Sequence, residues 1–230
     1  MARLTPNLPF VMPSIHPILP ALLVLALAGS IPAAEPPEAA LLAVLAGDAG
    51  VHEKARACQQ LAVVASPAAI PALTGLLDKE PLADYARSGL EAIPDPAAAE
   101  ALRKALPRLE GRLLAGVVNS LGVRRDAAAV PDLQKLALDP QRGVAAEALT
   151  SIGMIGSIEA AKILDTALTT GAAELRVPAA HAALVAAAHL AKAGSPAAAR
   201  ELLGDVIRVL PSGELTAAAQ RQLAALPGQP

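Results

Sequence analysis

The sequence predicts an all-α fold, an α-α superhelix in which about five two-helix repeats stack and a C-terminal helix caps them. Three observations support this prediction: hydrophobic residues make up 54% of the chain, aromatic residues make up only 1%, and one apolar pattern recurs along it. A core with so few aromatic side chains must be built from Ala, Leu, Val and Ile. Ala and Leu are strong helix formers, whereas strands favour aromatic and β-branched residues.

The N-terminal segment 1–34 has the pattern of a secretory signal peptide. Arg3 is the only charged residue before Glu35, and an apolar run of 11 residues, 18–28, is followed by small residues and a proline. Exported proteins typically begin with a basic residue, followed by a short apolar core and then small residues at the cleavage site. Because a spanning helix needs about 20 residues, we expect cleavage near residue 34 and no stable membrane insertion afterwards. An uncleaved signal anchor is the alternative. We expect 35–230 to be the mature, periplasmic or secreted chain.

One apolar position leads the same pattern five times, at intervals of 29, 31, 31 and 38 residues: Leu61, Leu90, Leu121, Ile152 and Leu190. Each unit is predicted to form a helix, a tight turn and a second helix. A Ser or Asp N-cap is expected in every turn, at Ser66, Asp95, Asp126, Ser157 and Ser195. A proline follows as the first helical residue in three units, at Pro67, Pro96 and Pro196. Glycines are expected to end first helices, at Gly153, Gly156 and Gly194.

The predicted repeats form one solenoid. Their approximate bounds are 51–78, 81–110, 111–138, 141–169 and 174–210, with a cap at 214–226. Apolar residues recur on one helical face, as at Val130, Leu133, Leu136 and Ala137. Small residues form a column along the first helices, at Ala57, Ala86, Val117 and Ala148. Neither helix of a unit can bury its apolar stripe alone, so stacking is expected to join the stripes into one core.

The segment 142–160, Arg-Gly-Val-Ala-Ala-Glu-Ala-Leu-Thr-Ser-Ile-Gly-Met-Ile-Gly-Ser-Ile-Glu-Ala, resembles HEAT repeats of the short, bilin-lyase-like class. That class carries an Ala-Leu-Gly-x-Ile-Gly-Asp-Pro-Glu-Ala turn. The resemblance spans roughly 51–210, and the stretches 53–61, 85–87 and 122–126 look like exported bacterial HEAT-repeat proteins. It implies a HEAT-type solenoid whose second helices generally line the concave face. It says little about function.

Composition argues against several functions. The net charge of −2 leaves no basic excess for a phosphate backbone, so nucleic acid is not an expected partner. His181 and His189 are eight residues apart, too far along a helix to share one metal ion. The motifs of serine hydrolases, phosphate-binding loops and zinc proteases do not occur. We therefore expect no catalytic residue, no metal and no cofactor.

Two groups of cations are candidate contacts for a partner protein. The turn pair Arg124 and Arg125 stands out because other units place Val64, Ile93, Ile155 or Ala193 at the position of Arg124. The turn pair is expected to be exposed and dispensable for folding. It is either solvated or in contact with an anion or an acidic partner. The second group, the ridge, lies along the second helices and comprises Arg103, Lys104, Lys135 and Lys162. The ridge is either a solvated face or a contact surface.

Two further residues stand in an otherwise small or apolar column of first helices. Arg87 is expected either to pair with Glu91, four residues later, or to contact a partner beside Tyr85. Cys58 is either a small buried hydrophobic residue or a functional cysteine, as a reactive thiol or in an intermolecular disulfide. Together these features predict a non-catalytic protein–protein interaction scaffold outside the cytoplasm. A bilin-lyase-like protein that handles tetrapyrroles and a structural spacer in an envelope assembly are the alternatives.

Overall fold

All regular structure in the described part of the chain is helical. The computed structural model describes residues 37–139, 141 and 143–227, and the predicted signal peptide lies outside them. Its α-helices are α1 (Glu38–Ala46), α2 (Val51–Val64), α3 (Ile70–Thr74), α4 (Glu80–Ala92), α5 (Pro96–Ala105), α6 (Gly111–Val123), α7 (Val130–Leu138), α8 (Ala145–Ile155), α9 (Ile158–Thr169), α10 (Arg176–Lys192), α11 (Pro196–Val209) and α12 (Glu214–Ala225). The prediction of an all-α fold is confirmed.

The helices pair and stack. Helices α2, α4, α6, α8 and α10 are the first helices of successive units, and each packs against the next in one row. Helices α3, α5, α7, α9 and α11 are the second helices; α3 packs against α5, and α9 packs against both α7 and α11. Short 3-10 segments precede α3 and α7, so these two second helices begin later than their partners in other units. The arrangement is an α-α superhelical stack of helix pairs.

The core between the two rows is aliphatic. Leu61, Leu90, Leu121 and Ile152, four of the five leading apolar residues, have no exposed surface, and the fifth, Leu190, is 1% exposed. The predicted small column and the apolar face of α7 are also buried, so the inner faces were correctly predicted. Stacking therefore removes from water the stripe that each helix would otherwise expose.

Two glycines allow first helices to approach each other closely. A Cβ on Gly122 would lie 2.9 Å from the Cα of Ser151, and one on Gly153 would lie 2.6 Å from the carbonyl oxygen of Ala182. Gly153 was expected to end a helix, and that prediction is wrong: α8 continues to Ile155 and ends at Gly156, whose φ is +59°. Gly153 instead serves the contact between α8 and α10.

The predicted side-chain N-caps form in three of the five turns. The side chains of Ser66, Asp95 and Ser157 each accept a hydrogen bond from a backbone N–H of the following helical segment. Asp126 and Ser195 form no side-chain cap, which corrects the prediction for both. The carboxylate of Asp126 is instead paired with a guanidinium from the preceding unit, so a stronger donor replaces the backbone amide.

Both ends of the stack are covered by an extra helix. At the C-terminal end α12 packs against α10 and α11, as predicted for the capping helix. At the other end α1, which was not predicted, buries Leu41 and Leu45 against α2 and α3. The carboxylate of Glu38 accepts hydrogen bonds from the backbone N–H and the hydroxyl of Ser66, at 2.8 and 3.0 Å. None of the helices described is both long and apolar enough to span a membrane.

Candidate interaction surface

Arg124 is not the exposed turn residue that the repeat pattern predicted. Its side chain is half-buried, and Nη1 donates to the carbonyl oxygens of Leu90, Glu91 and Ile93 at 2.7, 2.9 and 2.6 Å. Nη2 donates to the carbonyl oxygen of Asp95 at 3.0 Å. All four acceptors lie at the end of α4 or in the turn that follows it. The guanidinium therefore closes the end of a helix in the preceding unit.

Pro94 explains why this helix end needs an outside donor. In the first unit the N–H of Ala65 donates to the carbonyl of Leu61, and in the fourth the N–H of Gly156 donates to that of Ile152. Pro94 occupies the equivalent position in the second unit and has no N–H, so the carbonyl of Leu90 loses this donor. Arg124 supplies a replacement. The signal was present in the sequence, because Pro94 and Arg124 lie in the turns of successive units and each is unusual at its position.

Arg125 reaches in the opposite direction, towards the following unit. Its Nη2 donates to the carbonyl oxygen of Ile155, at the end of α8, at 3.2 Å. Its φ is +52°, a left-handed conformation that no other described non-glycine residue adopts, and Gly194 occupies the equivalent position with φ +80°. The turn pair thus ties the third unit to the second through Arg124 and to the fourth through Arg125.

Arg87 belongs to a polar network between two first helices. It donates to Glu91 at 3.3 Å, as the four-residue spacing predicted, and also to Asp84 at 3.1 Å. Its Nη1 donates to the hydroxyl of Ser120 on α6 at 2.9 Å, and that hydroxyl donates to Glu91 at 2.6 Å. A Cβ at Gly116 would lie 2.7 Å from the Nε of Arg87, so the glycine leaves space for this side chain. Tyr85, on the same helix as Arg87, is 37% exposed.

The ridge is not a band of free positive charge. Lys104 pairs with Glu100 at 2.6 Å, Lys135 with Asp132 at 2.9 Å, and Lys162 with Glu159 at 3.5 Å. The Lys104 ammonium, through its hydrogen bond, lowers the pKa of the Glu100 carboxyl. The remaining member, Arg103, pairs with Asp126. These lysine pairs are exposed to solvent and therefore contribute little to stability, and the ridge presents alternating charges on the second helices.

Grooves lie between successive second helices. The gaps between α3 and α5 and between α5 and α7 each hold a cavity of about 290 Å³. The gap between α9 and α11 holds one of about 120 Å³. The gap between α7 and α9, which also includes the start of α8, holds one of about 700 Å³. The ridge residues Arg103, Lys104, Lys135 and Lys162 each line one of the three smaller grooves.

The groove between α9 and α11 contains a carboxyl pair that the sequence analysis did not single out. Asp205 is only 4% exposed, and the carboxyl of Asp165 lies beside it. Burial, with the Asp165 carboxyl beside it, raises the pKa of Asp205 from 3.8 to about 6, and Arg208 opposes this shift. A raised pKa means that the folded state holds the proton more tightly than the unfolded state. Stability therefore falls as pH rises from about 4 to about 6.

The remaining ionisable candidates do not form a reactive site in the described residues. Cys58 is fully buried, and burial raises the pKa of its thiol to about 11, so the interpretation as a small hydrophobic residue is favoured. Burial also lowers the pKa of His189, with Arg125 and Lys192 adding positive charge nearby. No group of three or more His, Cys, Asp or Glu side chains could hold a metal ion within the part of the chain described.

The described residues thus define an all-helical protein built from stacked helix pairs. No family model and no curated protein matches the chain. Among solved structures, the crystal structure of an engineered protein is similar at 22% sequence identity with a TM-score of 0.48. That match covers 82% of this chain and 96% of the engineered one.

Proposed function

We propose that this chain is an exported HEAT-type repeat protein of the short class and that it acts as a non-catalytic protein–protein interaction scaffold. The observation that carries the proposal is the row of grooves between second helices, because it repeats with the fold. A solenoid offers a partner one long surface, and each unit adds the same kind of contact to it. The paired charges of the ridge favour a protein partner over a polyanion, since they give no band of positive potential.

The contacts of the cationic side chains bear on which surface we propose for a partner. The turn pair and Arg87 use their donors within the fold, so they are weaker candidates than the sequence suggested. Lys104, Lys135 and Lys162 are each at least 70% exposed and sit beside the grooves. We propose the second-helix face, formed by α3, α5, α7, α9 and α11, as the partner-binding surface.

A capture experiment with matched variants tests this function. The protein isolated from its native host is immobilised and exposed to increasing amounts of envelope extract, and bound proteins are quantified by mass spectrometry. The test variant is Lys135→Ala/Lys162→Ala on the second-helix face. The control is Arg56→Ala/Lys192→Ala, which removes the same charge from exposed positions on α2 and α10.

A scaffold should capture at least one protein saturably, and the test variant should lose it while the control retains it. No saturable capture would favour the structural spacer. Equal capture by both variants would remove the second-helix face from the proposal. Addition of a bilin tests the tetrapyrrole alternative, because a protein that binds the bilin should change its absorbance spectrum.

Export is tested separately. N-terminal sequencing of the protein from native cells should begin near residue 35, and an intact Met1 on the soluble protein would contradict export.

A further inference from the structure

The groove between α7 and α9 differs from the other three in size and in charge. Its volume of about 700 Å³ lies within the range of ligand sites, roughly 300–1,000 Å³, whereas the others are smaller. Its lining includes Ala137, Leu149 and Ile163, which belong to the buried core and give it a fixed apolar floor. Leu138 also lines it and remains 72% exposed, although it lies at the end of a packed helix.

The threonine hydroxyls of this groove are already hydrogen-bonded within their own helix, so the inner wall is largely apolar. Thr166 and Thr170 line it, but their hydroxyls donate to carbonyl oxygens of their own helix, at 2.9 and 3.1 Å. Their hydrogen-bonding capacity is therefore largely used within α9. A ligand in this groove would meet mainly methyl and methylene groups.

Two carboxylates that line the same groove have no partner among the described residues. Glu147 and Glu174 are exposed, and neither forms a hydrogen bond or ion pair with any described residue. None of the described residues that line the groove is Lys, Arg or His. This contrasts with the ridge, where every cation has an acidic neighbour. An apolar floor beside two unpaired negative charges is complementary to an apolar group flanked by positive charge.

We propose that this groove binds a segment of a partner protein in which apolar side chains are flanked by lysine or arginine. The proposal deepens the scaffold function and rests on it, because it names the chemistry of the segment that the scaffold recognises. The apolar side chains fill the space between α7 and α9, and the flanking cations approach Glu147 and Glu174. Complementary charge sets the orientation and the association rate, while burial of the apolar side chains supplies affinity.

Calorimetric titration with two blocked hexapeptides tests the proposal. The probes are Gly-Lys-Leu-Leu-Lys-Gly and Gly-Glu-Leu-Leu-Glu-Gly, added at low ionic strength to the protein isolated from its native host. We expect saturable binding of the lysine peptide only. Glu147→Gln/Glu174→Gln should weaken that binding about tenfold, since each exposed ion pair contributes modestly. The difference should shrink at about 1 M salt, where exposed charges are screened.

Two further variants separate the groove from the general charge of the protein. Glu110→Gln/Glu214→Gln removes two exposed carboxylates that do not line the groove, and it should leave the affinity unchanged. Ala167→Phe places a ring in the groove and should abolish binding, with retained helicity checked by circular dichroism.

Equal binding of both peptides, no saturable binding, or the same loss in the Glu110/Glu214 variant would overturn the proposal. If the peptides fail while partner capture on the second-helix face persists, only the groove proposal falls. If capture fails as well, the scaffold function itself is wrong.

Discussion

Replacing Arg124 by Ala is the sharpest test of how this stack is held together. The substitution leaves the carbonyl oxygens of Leu90, Glu91, Ile93 and Asp95 without the guanidinium that joins them. The carbonyl of Leu90 cannot recover its helical donor, because residue 94 is a proline. The repeat pattern predicted the opposite, namely that the turn pair could be removed with normal folding.

The magnitude follows from the hydrogen bonds that are lost. A hydrogen bond to a charged group contributes about 1.5–3 kcal/mol, but one half-buried guanidinium shares its protons among four acceptors and water can replace part of it. We expect Arg124→Ala to lower the free energy of unfolding by about 3 kcal/mol. For a chain of this size that corresponds to a Tm lower by roughly 6–12 °C. Arg56→Ala, an exposed arginine on α2, should change stability by less than about 0.5 kcal/mol.

A double-mutant cycle with Pro94→Ala identifies the cause. An Ala at 94 restores an N–H where Ala65 donates to Leu61 in the first unit. Arg124→Ala should therefore cost about 1 kcal/mol less in the Pro94→Ala background than alone. Urea denaturation followed by circular dichroism measures all four proteins. If Arg124→Ala and the Arg56→Ala control have the same free energy of unfolding, Arg124 does not stabilise the end of α4. Strict additivity in the cycle would refute the role of Pro94.

Three other predictions concern packing and pH, and urea denaturation measures each of them. Gly153→Ala should destabilise the protein by about 2 kcal/mol, because the new Cβ would meet the backbone of α10. Gly204→Ala is the control and should be neutral or stabilising, because no atom lies within 4 Å of the new Cβ. Equal effects would contradict the close approach of α8 and α10. Leu133→Asp should destabilise by more than about 4 kcal/mol, since it places a charge in the core, and an unchanged midpoint would mean a misplaced inner face. Asp205→Asn should remove the decline in stability between about pH 4 and pH 6; an unaltered pH profile would assign that decline elsewhere.

The sequence predicted the repeated features well. Spacing of apolar residues located the inner faces, and turn residues located ten helices in five pairs, because the same pattern recurred in every unit. It missed α1, since Glu38–Ala46 is apolar on all sides and shows no periodic face. A helix without a periodic apolar face is recognised only from its tertiary contacts. The hydrogen bond between Glu38 and Ser66 joins residues 28 apart in the sequence, so no local pattern indicates it.

The candidate surface was predicted less well because contacts between units decide it. Arg124 and Arg125 were treated as free side chains of one turn, although their acceptors lie in the neighbouring units. The carboxyl pair was not predicted, because α11 of the next unit brings Asp205 beside Asp165 of α9. The grooves have no local signature at all, since each is formed by residues from two or three helices.

The deviations from the repeat are compensated in the neighbouring unit, and this bears on the binding surface that we propose. Pro94 removes a donor in the second unit, and Arg124 supplies one from the third. Arg87 introduces a charge in a small or apolar column, and Gly116 and Ser120 in the next unit provide space and a hydrogen-bond partner. A side chain with such contacts would have to break hydrogen bonds within the fold before it could bind a partner, so it is a weak candidate for a partner contact. This supports our proposal that a partner binds the regular surface, the grooves between second helices, where the side chains remain exposed and the apolar floor is formed by core residues.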